Sequence, residues 1–285
     1  MKSVVNNPLS LRSNFTWILL GNIIYMGSQW LMVVVLAKLS SPKVVGQFTL
    51  GLAITAPVFL LTNLQLRTVQ ATDTKTEYKF NDYLGLRIVT TFIALLFIIL
   101  IVSIVNYPID TSIVILMIGL AKAFEALSDI VYGLMQKYER MDRIALSRMI
   151  KGPITLLTLG LLYWKFNSLF LSVLGMAVVW LFLFITYDYY NARKFEKIRL
   201  KISVSLFWKL TKLALPLGIV LMLSSLNTNI PRYLVEFFLG EEALGYFASI
   251  AYLMVAGNTV INALGQSATP RLSKYFIKGE VKKYQ

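Results

Sequence analysis

Eight apolar runs follow one another along the chain, each near the length that crosses a bilayer, at roughly 15–37, 45–66, 86–106, 111–134, 150–164, 168–188, 210–230 and 245–267. A hydrocarbon core takes about 20 mostly apolar residues per helix. Inside it every backbone N–H and C=O must be satisfied within the segment, so runs of this length fold as helices. The expected fold is therefore all-α, a polytopic membrane helix bundle of about eight transmembrane helices. Composition agrees: 57% of the 285 residues are hydrophobic and only 15% charged, and the mean hydropathy is +0.67, outside the usual range of soluble domains. The first run is longer than the apolar part of a signal peptide and leads straight into a second, so it reads as a retained span.

The charge between the runs orients the bundle. Of the 28 Lys and Arg residues, 23 fall on the side of the N-terminus, of the connections after the second, fourth and sixth runs, and of the C-terminal tail. Lys38, Lys43, Lys165 and Arg232 fall on the other side, and Lys122 lies within a run. Such a bias places the Lys- and Arg-rich side, with the N-terminus, in the cytoplasm. The net charge of +14 is thus spread over loops that meet anionic membrane lipids. It forms no groove-sized stripe for nucleic acid.

The chain has no cysteine and no histidine, which removes the thiolate nucleophile, the commonest general base and the usual transition-metal ligands. No phosphate-binding loop of the Walker type occurs. The connections on the side opposite the basic loops, near Pro108 and at Lys165–Asn167, are too short to house a catalytic domain. No enzyme activity, cofactor or metal is expected.

Against this background the fourth run keeps Lys122, Glu125 and Asp129. At about 100° per residue the three share one side of a helix with Tyr132 and Gln136. Lys122 can neutralise one of the two acids, which leaves the other needing a partner, water or a proton. A charge at mid-bilayer costs about 2.5–3.5 kcal/mol on insertion scales, so the stripe should face other helices or a hydrated cavity. It reads either as a buried ion pair that orders the bundle or as a cavity lining for a charged substrate or coupling ion. Weaker stripes recur. Asn22, Tyr25 and Gln29 share a face in the first run, Asn258, Asn262 and Gln266 in the eighth, and Ser224, Asn227 and Asn229 precede Pro231 and Arg232 in the seventh. Amides of this kind serve as interhelical glue or as cavity lining. Arg232 is either an interfacial anchor or a phosphate or carboxylate ligand.

A weak internal repeat relates LAKLSSPKVVGQFTLGLAI (36–54) to VEFFLGEEALGYFASIAYL (235–253), matching Gly46 to Gly245 and Phe48 to Phe247. Chance similarity between apolar helices is the competing explanation. Taken as real, the repeat divides the chain into a six-helix N-terminal lobe, 1–195, and the first two helices of an incomplete second lobe, 196–285. The sequence then reads as C-terminally truncated.

The segments LSSPKVVGQFTLGLAITAP (39–57), LQLRTVQATD (64–73), DYLGLR (82–87), KAFEALSDIVYGLMQKYERM (122–141) and NIPRYLVEFFLGEEALGYF (229–247) together resemble bacterial polysaccharide-biosynthesis flippases of the Wzx type. These belong to the multidrug/oligosaccharidyl-lipid/polysaccharide exporter superfamily. The resemblance implies two six-helix lobes around a central cavity, and alternating access that moves a polyprenyl-diphosphate-linked oligosaccharide to the outer leaflet for surface polysaccharide such as O-antigen. It implies Lys122, Glu125, Asp129, Arg232, Asn22, Gln29, Asn258 and Asn262 as substrate-binding candidates, with Arg67 and Asp73 at the cytoplasmic mouth. The implied partners are the lipid-linked substrate and the polymerase and glycosyltransferases of the same biosynthesis. The alternatives are a cation-coupled small-molecule exporter of the same superfamily and a non-transporting membrane protein. The chain departs from the family pattern in carrying eight runs where members have twelve to fourteen.

Overall fold

The structure, a computed structural model, describes residues 9–73, 77–199 and 203–277, with side chains as far as residue 251 apart from that of residue 11. The described elements are all helical: α1 (Leu11–Leu39), α2 (Pro42–Asn63), a short α3 (Leu66–Thr72), α4 (Phe80–Val105), α5 (Ile109–Lys137), α6 (Met141–Phe166), α7 (Leu169–Leu183), a π-helical turn (Phe184–Tyr189), α8 (Tyr190–Phe195) and α9 (Val204–Ile277). Among the described residues six stretches are long and apolar enough to cross a membrane. The chain is a multi-pass α-helical membrane protein. The 29-residue α5 matches them in length but carries the charged stripe. It sits centrally, packed against α2, α3, α4 and α7.

The helices end where the chain chemistry says they should. Pro42 opens α2 with its φ already helical. Ser168 Oγ accepts a hydrogen bond from Leu171 N at the start of α7, 3.4 Å. Asn106 and Asn167 close α4 and α6 in the left-handed conformation, φ 56° and 47°, which asparagine tolerates better than most side chains. α2 stops instead at Leu64 and Gln65, two successive left-handed residues with φ 52° and 50°, and α3 starts in a new direction. α9 is interrupted at Gly240, where φ 83° and ψ 177° suit glycine alone.

Which face each helix buries follows from its neighbours, because these helices are apolar all round. α4 turns Phe92, Phe97, Ile99, Leu100 and Ile104 outward, a lipid-facing surface. α5 buries Val114, Ile115, Ile118, Ile130, Val131, Leu134 and Met135. α1 packs along α6 and α2 along α9.

The α2–α9 contact carries the two glycines of the sequence repeat. A Cβ on Gly46 would lie 1.9 Å from Glu241 O, and one on Gly245 would lie 1.8 Å from Pro42 O. Positions 42 and 241 stand in the same register as 46 and 245, so the contact is reciprocal, as across a two-fold axis. Val45 and Leu244, the next pair in that register, are both buried. Phe48 and Phe247 are not equivalent: the first is 1% exposed and the second 36%.

Candidate functional site

A cavity of about 580 Å³ lies between α1, α2, α3, α5 and α6 and touches α9 at Leu221. It runs from Tyr25 and Lys122, half-way along their helices, to Gln136 and the exposed Thr68 at the basic end. The sequence stripe faces it: Lys122, Glu125, Asp129, Tyr132 and Gln136 all line it.

Each acid is already partnered. Lys122 Nζ is 2.7 Å from Glu125 Oε2, and Tyr25 OH donates to Glu125 Oε1 at 2.6 Å. The acid that Lys122 leaves over is Asp129, and it takes two arginines: Arg67 Nη1 at 3.3 Å from Oδ1 and Arg87 Nη2 at 3.3 Å from Oδ2. Arg87 is fully buried and also bonds Asn63 Oδ1. Arg67 Nε bonds Gln136 Oε1 at 3.0 Å. α3 seats Arg67 there by packing Gln70 against Gly133 of α5, where a Cβ would come within 2.5 Å of the Gln70 side-chain amide.

Arg148 is the exception. Its Nη1 donates to Asn22 Oδ1 at 2.5 Å, and its guanidinium lies 6.0 Å from the Tyr25 ring and 5.7 Å from the Tyr132 ring. Among the described residues no carboxylate pairs with it. Lys151 lines the same cavity but points its ammonium between α5 and the π-helical turn. Nζ lies 3.0 Å from Ser128 Oγ, 3.3 Å from Tyr132 OH and 3.8 Å from Asp188 Oδ2. Asp188, on the π-helical turn, also accepts from Ser147 Oγ at 2.6 Å. Four cations and two carboxylates thus line the cavity, and Arg87 and Asp188 behind them add one charge of each sign.

At the opposite end a polar network ties the helices together, beside a smaller pocket of about 340 Å³ that Gln47 and Tyr163 line. Thr111 Oγ1 bonds Glu241, Gln47 Nε2 reaches Thr111 Oγ1 and Glu241 Oε2 at 3.1 Å each, and Lys43 Nζ stands 4.0 Å from Glu241 Oε2. This network, with the glycine contact beside it, joins α2 and α5 to the part of α9 that follows Gly240.

Of the residues singled out from sequence, Lys122, Glu125, Asp129 and Arg67 come together in the cavity, and Asn22 holds Arg148 at its edge. Gln29 lies outside it, its Nε2 buried without a partner among the described residues. Arg232 is also outside, bonding Asn229 Oδ1 at 2.5 Å. Asp73 borders a separate cleft with Tyr78 and Tyr83 and accepts from the backbone N–H of Glu77 and Tyr78, both 3.1 Å. The side chains of Asn258 and Asn262 lie outside the described residues. Sequence reasoning missed Arg87, Arg148 and Lys151, counted as loop cations. The signal was helix length: α4 and α6 start at Phe80 and Met141, well before their apolar runs, which carries these cations inside.

The chain is thus a polytopic helix bundle with a charged internal cavity that reaches the basic end. The chain matches the family described as polysaccharide biosynthesis protein over residues 11–276, and it belongs to that family. It is 30% identical over 265 residues to the capsular polysaccharide biosynthesis protein CapF of Staphylococcus aureus, covering 92% of this chain and 66% of that protein. It therefore spans about two thirds of that relative's length. Its fold is similar to that of a MOP superfamily transporter from Pyrococcus furiosus, with a TM-score of 0.58 at 14% identity over the whole of this chain and 69% of the other.

Proposed function

We propose that the protein is a transporter that moves lipid-linked, diphosphate-bearing saccharide units across the bacterial cytoplasmic membrane by alternating access, for surface polysaccharide synthesis. The basic end is the cytoplasmic end, and the cavity takes its cargo from that side. The chain performs no bond-breaking step. It hands cargo from the glycosyltransferases that build it to the polymerase that consumes it.

The observation that carries this reading is the cationic excess of the lining, concentrated in Arg148. A guanidinium without a carboxylate partner, held by an amide and two aromatic rings, is set up for bidentate contact with phosphate oxygens. Tyr25, Tyr132, Asn63 and Gln136 offer hydroxyl and amide partners to a sugar. A cation-coupled exporter is less well supported, since it needs a carboxylate free to hold the coupling ion, and both lining acids are engaged.

The test is complementation of a bacterial strain lacking its own transporter of this family, with surface polysaccharide and lipid-linked repeat units both measured. Losing a charge-assisted hydrogen bond costs about 1.5–3 kcal/mol, so Arg148→Gln should cut polysaccharide export tenfold or more, with repeat units accumulating and protein level unchanged. Full complementation by Arg148→Gln and by Lys122→Gln would rule the reading out.

A further inference from the structure

Two guanidiniums from different elements converge on one ring. Arg67 of α3 and Arg148 of α6 each stand 5.7 Å from the centroid of Tyr132, and all three residues line the cavity. They differ in what they hold. Arg148 is bonded to an amide, while Arg67 is bonded to Asp129.

The Arg67–Asp129 contact is a loose one. Charge-assisted N–H···O bonds close to about 2.7–2.9 Å, and arginine gains most by offering two parallel donors to one carboxylate. Lys122–Glu125 reaches 2.7 Å. Arg67 meets Asp129 at 3.3 Å through one nitrogen and sends Nε to Gln136 instead. Asp129 does not depend on Arg67 for neutralisation, because the buried Arg87 is at the same distance from its other oxygen. Arg67 can therefore release the carboxylate without leaving a charge unpaired, which is the step that makes breaking a buried pair costly.

We propose that Asp129 is a built-in competitor for the cargo's diphosphate. In the empty cavity its carboxylate occupies Arg67. When a diphosphate bridges Arg67 and Arg148 over Tyr132, it displaces Asp129, which stays with Arg87. The consequence is a weakened anion site. A transporter needs one, since binding must favour entry yet leave the cargo able to depart. Departure is helped by Asp129 recapturing Arg67.

This inference rests on the diphosphate reading above, and the experiment separates the two. Binding of inorganic pyrophosphate to the purified full chain in nanodiscs would be measured for the wild type, Asp129→Asn, Arg67→Gln, Arg148→Gln and the pair Arg87→Gln with Asp129→Asn, which leaves no buried charge alone. Asp129→Asn and the pair should bind about tenfold tighter than the wild type, a gain that structural damage would not produce, and adding Arg67→Gln should abolish the gain. Unchanged or weaker binding in both the single variant and the pair overturns the proposal. In that case, wild-type binding that still depends on Arg148 leaves the diphosphate reading standing, whereas binding indifferent to Arg148 removes both.

Discussion

A charge inside a membrane helix is informative in proportion to how it is paired. Glu125 and Asp129 face a cavity, with side chains 30% exposed, and water shares the cost of their ionisation. Lys151 and Asp188 are 2% and 0% exposed and are held by each other, by Tyr132, Ser128 and Ser147, and, for Lys151, by the face of Trp180. Removing one member leaves the other uncompensated in low dielectric, at a cost of about 3–5 kcal/mol, whereas replacing both by apolar residues is close to neutral. Asp188→Asn and Lys151→Met should each lower the unfolding midpoint of the purified protein sharply, and Asp188→Leu combined with Lys151→Met should recover most of it; additive losses would show that the two act separately. Asp73 gives a milder case outside the membrane. Burial raises its pKa, but the N–H groups of Tyr78 and Glu77, then Lys137 and the Tyr83 hydroxyl, outweigh this and hold it below the usual carboxylate value. A depressed folded-state pKa stabilises the loop above the unfolded value, near 3.9, and the contribution is lost as pH falls through the folded one. Protection of the Tyr78 amide, taken relative to its intrinsic exchange rate at each pH, should fall below about pH 4 in the wild type and be low and nearly pH-independent in Asp73→Asn. The sequence exposed Lys122, Glu125 and Asp129 because charge interrupts an apolar run there. It hid Arg148 and Lys151 because they stand at the edge of a run, where a charge reads as the end of the membrane.

At the level of helices, three glycines separate two causes of rigidity. Gly46 and Gly245 are needed for space, since a methyl at either would sit under 2 Å from a carbonyl oxygen of the opposing helix. Gly46→Ala and Gly245→Ala must push α2 and α9 apart, and each should destabilise by more than about 2 kcal/mol, within the range of overpacking costs. At Gly240 a methyl would meet nothing within 4 Å, yet the backbone φ is +83°; Gly240→Ala is opposed by the backbone alone, at about 1–3 kcal/mol. Gly27, in the interior of α1, also has open space around it, with an ordinary helical backbone. Gly27→Ala should stabilise by about 0.5–1 kcal/mol. Thermal unfolding of the four variants checks the ordering, and a stabilising Gly240→Ala would contradict it. The third and fifth runs read from sequence were too short: α4 and α6 begin at Phe80 and Met141, before their apolar parts, with polar residues that the neighbouring helices cover. The break at Gly240 is where the sequence separated its seventh and eighth runs, and hydropathy alone marks that gap without showing that helix resumes at once on its far side.

For the molecule as a whole, the arrangement is asymmetric from end to end. The lining reaches the exposed Thr68 at one end, while at the other Gln47, Thr111, Glu241 and the glycine contact close α2 and α5 onto α9. That asymmetry was half legible: the Lys and Arg bias told the two ends apart, but the closure depends on an acid, an amide and a hydroxyl separated by 64 to 194 residues in sequence, and no local pattern announces it. The absence of cysteine makes the asymmetry measurable without first altering the protein. Ala56 lines the cavity near the middle of α2, so Ala56→Cys should react with a membrane-impermeant maleimide added at the basic end and be protected from reagent added at the other. Glu241 is the one acceptor shared by Gln47 and Thr111, and Glu241→Ala leaves both without it; unmade hydrogen bonds of this kind cost about 1–3 kcal/mol, enough to raise the population of an end-opened form five-fold or more. In the Ala56→Cys background, Glu241→Ala should therefore make the thiol reactive from the far end while slowing its reaction from the basic end, as the alternating access proposed above requires. Equal reaction from both ends before Glu241 is changed, or a rise at both ends after it, would mean a leak through the bundle and not a gate.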